Sequence, residues 1–435
     1  MSQKGVSFVA YLLIVFVSIA SGALAQTPQD LYASGMQAAR RSEYPQALQY
    51  LHRAIDLHPE FAKAHAALGT IYLQLGDFPA SEEALTRALH IAPGLMQAES
   101  NLALLYAKTE RFDDAIRVYR NLTQKHPESL SVWLGIASAY QKADQFEEAI
   151  AAYHESLKRS PSHPTAMTNL ASCYEAVKQQ ERAIQYYKAA LVQAPNLPMA
   201  NGNLGAIYQK QGELDKALPL LEKAVRYDPQ FTAARYCLGL VLTKKHEFQR
   251  AAMEYQRVIS QQNDHVGAYY NLAQALFRLK QPEEGKRAME IYRQLNAIAQ
   301  EIDDRERAIL IEPNNPLKQY QLGLVYAKHG KIDKGILAFQ AALELDANAH
   351  YALNALARLY ILKNIQLQDA ITHAEKAFHL TQAPQYMQTL ALAYFQAGKR
   401  EEALKAIQTA VEMEPENEAF QRTLTRMREA NEKTK

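Results

Sequence analysis

Residues 28–265 repeat one 34-residue pattern without a gap, and this period constrains the fold more than any other feature of the chain. The clearest copy is 198–231, PMANGNLGAIYQKQGELDKALPLLEKAVRYDPQF. Counted from Pro198 as position 1, Gly212 is at position 15 and Pro229 is at position 32. Glycine readily ends a helix in the left-handed conformation, and proline cannot continue one. Each copy therefore predicts two helices, one ending near Gly212 and one that starts after it and stops before Pro229.

Positions 8 and 20 hold small residues along this stretch, and position 32 holds proline in all but the last copy. Small side chains at positions 8 and 20 suit a close approach of the two helices, and position 32 ends the second one. Position 8 holds Gly35, Gly69, Ala103, Ala137, Ala171, Gly205 and Gly239, position 20 holds Ala47, Ser81, Ala115, Ala149, Ala183, Ala217 and Ala251, and position 32 holds Pro59, Pro93, Pro127, Pro161, Pro195, Pro229 and then Asn263. Neither helix buries its apolar face alone, so the copies must stack on each other.

The pattern changes in the eighth copy, which begins at Val266. Its second helix should end near residue 297, but the terminating proline is Pro313, and an apolar face continues between them. We predict one long helix over 283–311 within an irregular unit, 266–315, that either projects from the array or folds back on it. Three further copies fill 316–417, with a small insertion around 363–368 in the second of them. Residues 418–435 are predicted to be a C-terminal capping helix and tail.

The period and the conserved positions together resemble the tetratricopeptide repeat family, whose pattern of Trp, Leu-Gly, Tyr, Ala, Phe, Ala and Pro has this length. Trp133, at position 4, is the only tryptophan of the chain. The resemblance implies an all-α fold: a right-handed superhelical α-solenoid of ten or eleven helix-turn-helix repeats with a capping helix. We number them repeats 1 to 11, with position 1 at residues 28, 62, 96, 130, 164, 198, 232, 266, 316, 350 and 384.

The first 25 residues predict export. Lys4 precedes the apolar run Phe8–Ile19, and Ala23-Leu24-Ala25 is typical of a signal-peptidase site, with Gln26 as the mature N-terminus. The apolar run is shorter than the ~20 residues of a membrane-spanning helix. We therefore expect residues 1–25 to be a signal peptide and the protein to be periplasmic or secreted. The alternative is a membrane anchor formed by residues 6–25.

Composition and motifs argue against an enzyme. The chain has 48 basic and 46 acidic residues, a net charge of +2, which gives no reason to expect a nucleic-acid partner. It lacks the phosphate-binding, nucleophile and zinc-protease motifs. Paired acids such as Asp113-Asp114 and Glu147-Glu148 precede position 20, where they complement a helix N-terminus. The 13 histidines are scattered, so we predict no catalytic residue, no metal site and no cofactor.

The candidate binding surface follows from the resemblance, because the first helix of each unit lines the concave side of such a superhelix. Positions 2, 5, 6, 9, 12 and 13 are the candidates for exposure there. A carboxamide both donates and accepts hydrogen bonds, so it can pair with the backbone of an extended peptide. Position 6 also resembles the inner asparagine ladder in the repeat region of O-linked N-acetylglucosamine transferases, although no transferase domain follows. These candidates are Asn101, Asn169, Asn203 and Asn271. The alternative is that they hydrogen-bond locally within the array.

Position 5 supplies a second set of candidates. Three tyrosines occupy it in repeats 7 to 9, where earlier repeats mostly have small residues: Tyr236, Tyr270 and Tyr320. Tyrosine combines a large contact area with a polar tip and loses little entropy on binding. These rings are therefore candidate peptide-binding residues, and the alternative is that they fill gaps between neighbouring helices.

One known ligand class is disfavoured. Chaperone-tail-binding members of the family hold a terminal carboxylate with Lys at position 5 and Asn at position 9, and no repeat here has either. The leading hypothesis is a non-enzymatic, exported scaffold that binds a peptide or protein segment in its concave groove and assists assembly of a protein complex. The alternatives are a periplasmic factor of polysaccharide or envelope export machinery, and an accessory, substrate-presenting subunit of a glycosyltransferase.

Overall fold

The structure is a computed structural model and describes residues 27–432, so the predicted signal peptide lies outside the described residues. Those residues form 23 α-helices and no strand, and each first helix packs on the second helix of its repeat. The prediction of an all-α solenoid is thus confirmed. The chain divides into two compact bodies, one ending at Gln262 and the other beginning at Asn263.

The first body contains repeats 1 to 7. Its helices are α1 Pro28–Arg40, α2 Tyr44–Leu57, α3 Ala62–Leu75, α4 Phe78–Ile91, α5 Met96–Lys108, α6 Phe112–Lys125, α7 Leu130–Lys142, α8 Phe146–Arg159, α9 Pro164–Ala176, α10 Gln180–Gln193, α11 Pro198–Gln211, α12 Leu214–Tyr227, α13 Thr232–Lys244 and α14 Phe248–Gln261.

The second body contains repeats 8 to 11 and the terminal helix. Its helices are α15 Val266–Arg278, α16 Pro282–Ile311, α17 Pro316–Lys328, α18 Ile332–Leu345, α19 His350–Lys363, α20 Leu367–Thr381, α21 Pro384–Gln396, α22 Arg400–Met413 and α23 Glu418–Glu432. Phe420 and Met427 of α23 are buried against the last repeat, as expected of a capping helix.

In the turn between the two helices of a repeat, the residue at position 15 has a left-handed backbone conformation. Gly212 has φ +82° there, and Gly76 and Gly398 behave alike. Glycine adopts this conformation without a Cβ clash. The same position has positive φ in repeats without glycine, at Ser42, Glu110, Asp144, Lys178, His246, Lys280 and Asn364. The turn geometry therefore comes from packing of the helix pair, because most of these residues resist a positive φ.

Position 8 is where the two helices of a repeat come closest. A Cβ placed on Gly205 would lie 2.7 Å from Leu221 Cγ, and one on Gly323 would lie 2.4 Å from Phe339 Cε1. Both partners occupy position 24 of the second helix, and both are buried. The small residue at position 8 thus provides the space that a large side chain at position 24 fills.

Helix α16 departs from the other second helices, because it has 30 residues where α14 and α18 have 14. Its first half packs on α15 of its own repeat, with Ala288 buried. Its last turns pack on α17, where Ile302 and Ile309 contact the cluster of Leu322 and Tyr326. The helix therefore neither projects freely nor folds back. Like other second helices it packs on the first helices of its own and the next repeat, but it uses separate turns for each.

Candidate peptide-binding surface

The inner side of each body is defined by contacts between first helices. In most neighbouring repeats, such as α3 with α5, α11 with α13, and α17 with α19, the first helices pack together, whereas no comparable packing joins second helices to each other within residues 27–432. Helices closer together on one side make that side the inner, concave one. The inner surface of each body is therefore the set of residues at positions 2, 5, 6, 9, 12 and 13 of its first helices.

This inner surface includes apolar side chains that the folded array leaves in solvent. Position 9 is exposed at Leu104 in the first body and at Leu324 and Leu392 in the second, and position 2 is exposed at Met199 and Leu317. Exposed apolar side chains gain free energy when a partner covers them, about 25 cal/mol per Å² of apolar area. The surface thus offers contacts for the apolar side chains of an extended segment.

Two of the predicted asparagines bridge neighbouring repeats. Asn101 Nδ2 donates to Thr70 Oγ1 at 2.7 Å, and Asn203 Nδ2 donates to Tyr187 Oη at 3.0 Å. Asn203 Nδ2 also approaches Ser172 Oγ at 3.4 Å. Thr70 and Ser172 both occupy position 9 of the preceding repeat, so position 6 hydrogen-bonds back to position 9. Neither asparagine uses its carboxamide oxygen in a bond to the residues described.

The other two asparagines are also engaged within the array. Asn169 lies close enough to the largely buried hydroxyl of Tyr153 to counteract the rise that burial causes in the pKa of that hydroxyl. Asn271 Nδ2 donates to the carbonyl of Gly267, one turn earlier in α15, at 2.9 Å. The local alternative thus accounts for these contacts, and a role for the four asparagines in ligand binding stays a prediction that the contacts do not test.

The three predicted tyrosines differ in exposure. Tyr236 packs on Tyr255 at 6.0 Å between ring centroids, in the first body. Tyr320, in the second body, lies 5.6 Å from Phe339 and 4.7 Å from Tyr351, and its burial raises the pKa of its hydroxyl. Tyr270 is 42 % exposed and contacts Tyr292 of α16 at 5.1 Å. Packing between helices therefore accounts for most of the surface of the Tyr236 and Tyr320 rings. Tyr270 is the most solvent-exposed of the three.

Polar contacts under the inner surface involve buried tyrosines at position 24. Tyr187 Oη lies 2.9 Å from Ser172 Oγ, and Tyr255 Oη lies 3.0 Å from Thr243 Oγ1. Burial raises the pKa of Tyr187 to about 12. The tyrosine hydroxyls therefore stay protonated and hydrogen-bond hydroxyl and amide side chains of the first helices beside them. Sequence reasoning missed this set, because position 24 also holds Leu, Met, Phe or Ile in other repeats, as expected of a core position.

The inner positions carry almost no negative charge. In the first body the one acid is Glu175, whose Oε1 lies 3.8 Å from Lys210 Nζ. In the second body these positions hold no acid at all. Several basic residues there are exposed and form no ion pair with the residues described: Arg40, Lys63, Lys108, Lys142 and Lys244 in the first body, and Arg278 and Arg358 in the second. Each inner surface therefore has excess positive charge despite the near-neutral total.

A cavity of about 440 Å³ lies in the second body beside the middle of α16. Leu295, Ile298 and Ile302 form its apolar wall, and Asp264 and Lys331 pair across its edge at 2.7 Å. It lies where α16 passes from one repeat to the next. The cavity thus follows from the added length of α16.

Neither a metal-binding cluster nor a membrane-spanning helix occurs within residues 27–432. No group of three or more His, Cys, Asp or Glu side chains within them could hold a metal ion. Over the same range, no helix is both long and apolar enough to cross a membrane. Cys173 and Cys237 are free thiols, and burial raises the pKa of both.

The family comparison agrees with the repeat geometry. Models described as tetratricopeptide repeat match residues 32–95, 134–198 and 320–385, residues 106–153, and residues 384–417. A model described as anaphase-promoting complex, cyclosome, subunit 3, matches residues 210–291. The chain belongs to the tetratricopeptide repeat family, as the sequence predicts. Proteins of this family are in general protein-interaction scaffolds.

Several solved structures are similar to parts of the chain. YrrB, described as a TPR protein with an unusual peptide-binding site, is 20 % identical, with a TM-score of 0.37 over 41 % of this chain and 91 % of YrrB. MamA is 22 % identical, with a TM-score of 0.35 over 39 % and 93 %. MamA from Desulfovibrio magneticus RS-1 is 19 % identical, with a TM-score of 0.35 over 39 % and 95 %. The sequence has no match among curated proteins.

Proposed function

We propose that this protein is an exported, non-enzymatic scaffold that binds a peptide or protein segment on the inner surface of its repeats and assists assembly of a protein complex. Export rests on the pattern of residues 1–25, with a short basic region, an apolar run and an A-x-A-like end. The binding role rests on one observation above all: the inner positions expose Leu104, Leu324 and Leu392 to solvent.

The chemistry of the inner surface supports a segment of chain as the ligand. Extended peptides present alternating side chains and regularly spaced backbone N–H and C=O groups. The exposed leucines suit the side chains, and the unused carboxamide oxygens of Asn101 and Asn203 suit backbone N–H donors. Such a surface recognises a partner and offers no group that would carry out a reaction on it.

Site-specific crosslinking tests the binding role. A photoreactive residue replaces Leu324 in the full chain, and a matched variant carries it at Leu337, which is 64 % exposed on the second helix α18. We expect a protein adduct from the inner position that the outer position does not give. Equal adducts from both positions, or none from either in the native compartment, would contradict the proposal.

Cell fractionation tests export separately. The full chain should leave the cytoplasm, and N-terminal sequencing of the exported form should begin at Gln26. Removal of residues 1–25 should retain the protein in the cytoplasm. An exported form that keeps residues 6–25 would favour the membrane-anchored alternative.

A further inference from the structure

The inner surface of α17 and α19 contains a cation without a partner. Arg358, at position 9 of α19, is exposed and forms no ion pair with any residue the structure describes. It lies close enough to Tyr320 for its charge to act on that hydroxyl. Other basic side chains of this body do have carboxylate partners, as in the pairs of Lys331 with Asp264 and Lys318 with Glu312. Arg358 is therefore available for an external anion.

Apolar surface surrounds this cation. The rings of Tyr320 and Tyr351 meet edge to face at 4.7 Å, which forms a corner between α17 and α19. Leu324, one turn after Tyr320, is 44 % exposed, and Leu362, one turn after Arg358, is 68 % exposed. Aromatic corners of this kind bind rings and aliphatic side chains at low entropic cost. Charge and apolar area thus occur together on one patch.

The surroundings select the sign of the ligand's charge. The inner positions of α15, α17, α19 and α21 contain no acid. The acid that acts on this corner is Asp346, which affects Tyr351 from the loop before α19 and accepts a hydrogen bond from the Asn348 backbone N–H at 2.9 Å. A basic ligand would meet Arg358 without an inner carboxylate to balance it. An acidic ligand would meet a guanidinium that can bind a carboxylate through two parallel hydrogen bonds.

We propose that the inner surface of α17 and α19 binds acidic segments of a partner protein, in which a carboxylate pairs with Arg358 and a neighbouring aromatic or aliphatic side chain packs on Tyr320, Tyr351 and Leu324. This inference rests on the proposed function and specifies its ligand class. The recognition needs an internal acidic side chain beside an apolar one, and it does not need a chain terminus.

Peptide binding by the full chain tests this assignment. The probe is a labelled peptide of alternating Glu and Phe or Leu residues, with otherwise identical peptides that carry Gln or Lys instead of Glu. We expect the Glu peptide to bind most tightly and its affinity to fall as salt is added. Arg358→Gln should weaken the Glu peptide about 1.5- to 5-fold, the range for an exposed ion pair, and leave the Gln peptide unchanged.

Two matched variants control for nonspecific effects. Arg305→Gln removes an exposed arginine without an ion pair among the described residues on α16, and Leu337→Gln removes an exposed leucine on α18. Neither should change peptide affinity, whereas Leu324→Gln should weaken the Glu and Gln peptides alike. All four positions are exposed, so the variants should keep the helical circular-dichroism spectrum of the parent chain.

The outcomes separate this inference from the proposed function. Equal affinity for the Glu and Gln peptides overturns the acid preference, even where inner-surface crosslinking to a protein succeeds. An equal effect of Arg305→Gln and Arg358→Gln also overturns it. So does a competition experiment in which polyphosphate displaces the labelled Glu peptide at a lower concentration of negative charge than the unlabelled Glu peptide needs. Absence of any inner-surface protein adduct counts against the proposed function itself.

Discussion

His154 Nε2 lies 2.8 Å from the hydroxyl oxygen of Tyr174, the residue twenty positions further along the chain. The tyrosine is at position 11 of a first helix, and its partner is on the preceding second helix. The same separation recurs with different partner residues: His52 with Tyr72, Arg120 with Tyr140, Glu306 with Tyr326 and Gln340 with Tyr360. Position 11 thus joins consecutive repeats through a polar contact whose other member is variable.

Glu306 shows how α16 keeps this contact despite its length. Its Oε1 accepts a hydrogen bond from Tyr326 Oη at 2.9 Å, and burial together with this bond raises the pKa of Tyr326 to about 12. Tyr326→Phe should loosen the last turns of α16 and cost about 0.5–1.5 kcal/mol. Hydrogen exchange of α16 should accelerate after residue 301. Tyr292→Phe, on the same helix and without a hydrogen bond among the described residues, should leave the exchange rates unchanged.

The close contact at Gly323 predicts a packing defect. An added Cβ would lie 2.4 Å from Phe339 Cε1, so Gly323→Ala must push apart α17 and α18. Overpacking of this kind costs about 1–3 kcal/mol, and urea unfolding followed by circular dichroism should show it. Gly323→Ala combined with Phe339→Leu should recover part of the loss. A single substitution without effect would show that the helix pair has freedom that the contact does not indicate.

The ion pair of Arg235 with Glu254 is the most buried one among the described residues. The two side chains are 6 % and 12 % exposed, with Nη1 and Oε2 2.6 Å apart, and Arg235 Nη2 also donates to the Pro229 carbonyl at 2.8 Å. Glu254→Gln leaves the buried guanidinium without its counter-charge, so we expect a loss of about 3–5 kcal/mol in the free energy of unfolding.

The matched control for this pair is Glu222→Gln. Glu222 pairs with Arg250 at 2.6 Å, but both side chains are substantially exposed. Exposed pairs contribute about 0–1 kcal/mol. Equal losses for the two substitutions would contradict the prediction that burial decides the effect. Thermal unfolding at two salt concentrations would show the difference, because salt screens the exposed pair and not the buried one.

His154 predicts a stability change with pH. Burial is the main cause that lowers its pKa from the ordinary value of 6.5, Arg182 and Lys158 lower it further, and Glu155 opposes them. The unfolded chain therefore binds the proton more tightly, so this contribution to stability is present above about pH 6.5 and is lost as the pH falls toward the folded-state pKa.

Hydrogen exchange of α8 and α9 at pH 7.5 and 5.5 measures this effect, after correction for the intrinsic rate. Protection should fall at the lower pH in the parent chain. It should change less in His154→Gln, which keeps a hydrogen-bonding group toward Tyr174. An identical pH response in both proteins would assign the change to another group.

The sequence predicts the fold well because its main determinants are local and periodic. Small residues at position 8 indicate where the two helices of a repeat approach each other. Prolines at position 32 indicate where the second helix ends. The residue type at position 15 predicts the turn less well, because Glu110 and Lys178 adopt a positive φ there just as Gly212 does. Their conformation follows from the packed helix pair and not from their own preferences. The period locates these turns where residue type alone would miss them.

The candidate site is less predictable for a related reason. In the sequence, Asn203 and Tyr320 are equally compatible with ligand binding and with packing inside the array. Only the contacts of Asn203 with Tyr187 and of Tyr320 with Phe339 show that both side chains are partly engaged within the array. Arg358 had no signal of its own in the sequence. Its importance depends on which carboxylates are close to it, and sequence spacing does not give that.

The shared helix α16 has a consequence for how the second body comes apart. In a linear array, each repeat contributes its own stability and an interface term with each neighbour, and boundaries between repeats are where unfolding can stop. In α16 the turns that pack on α15 and the turns that pack on α17 lie toward opposite ends of one 30-residue helix. Unfolding of repeat 8 should therefore reach repeat 9 through the backbone hydrogen bonds of α16, in addition to the side-chain contacts that join other repeats.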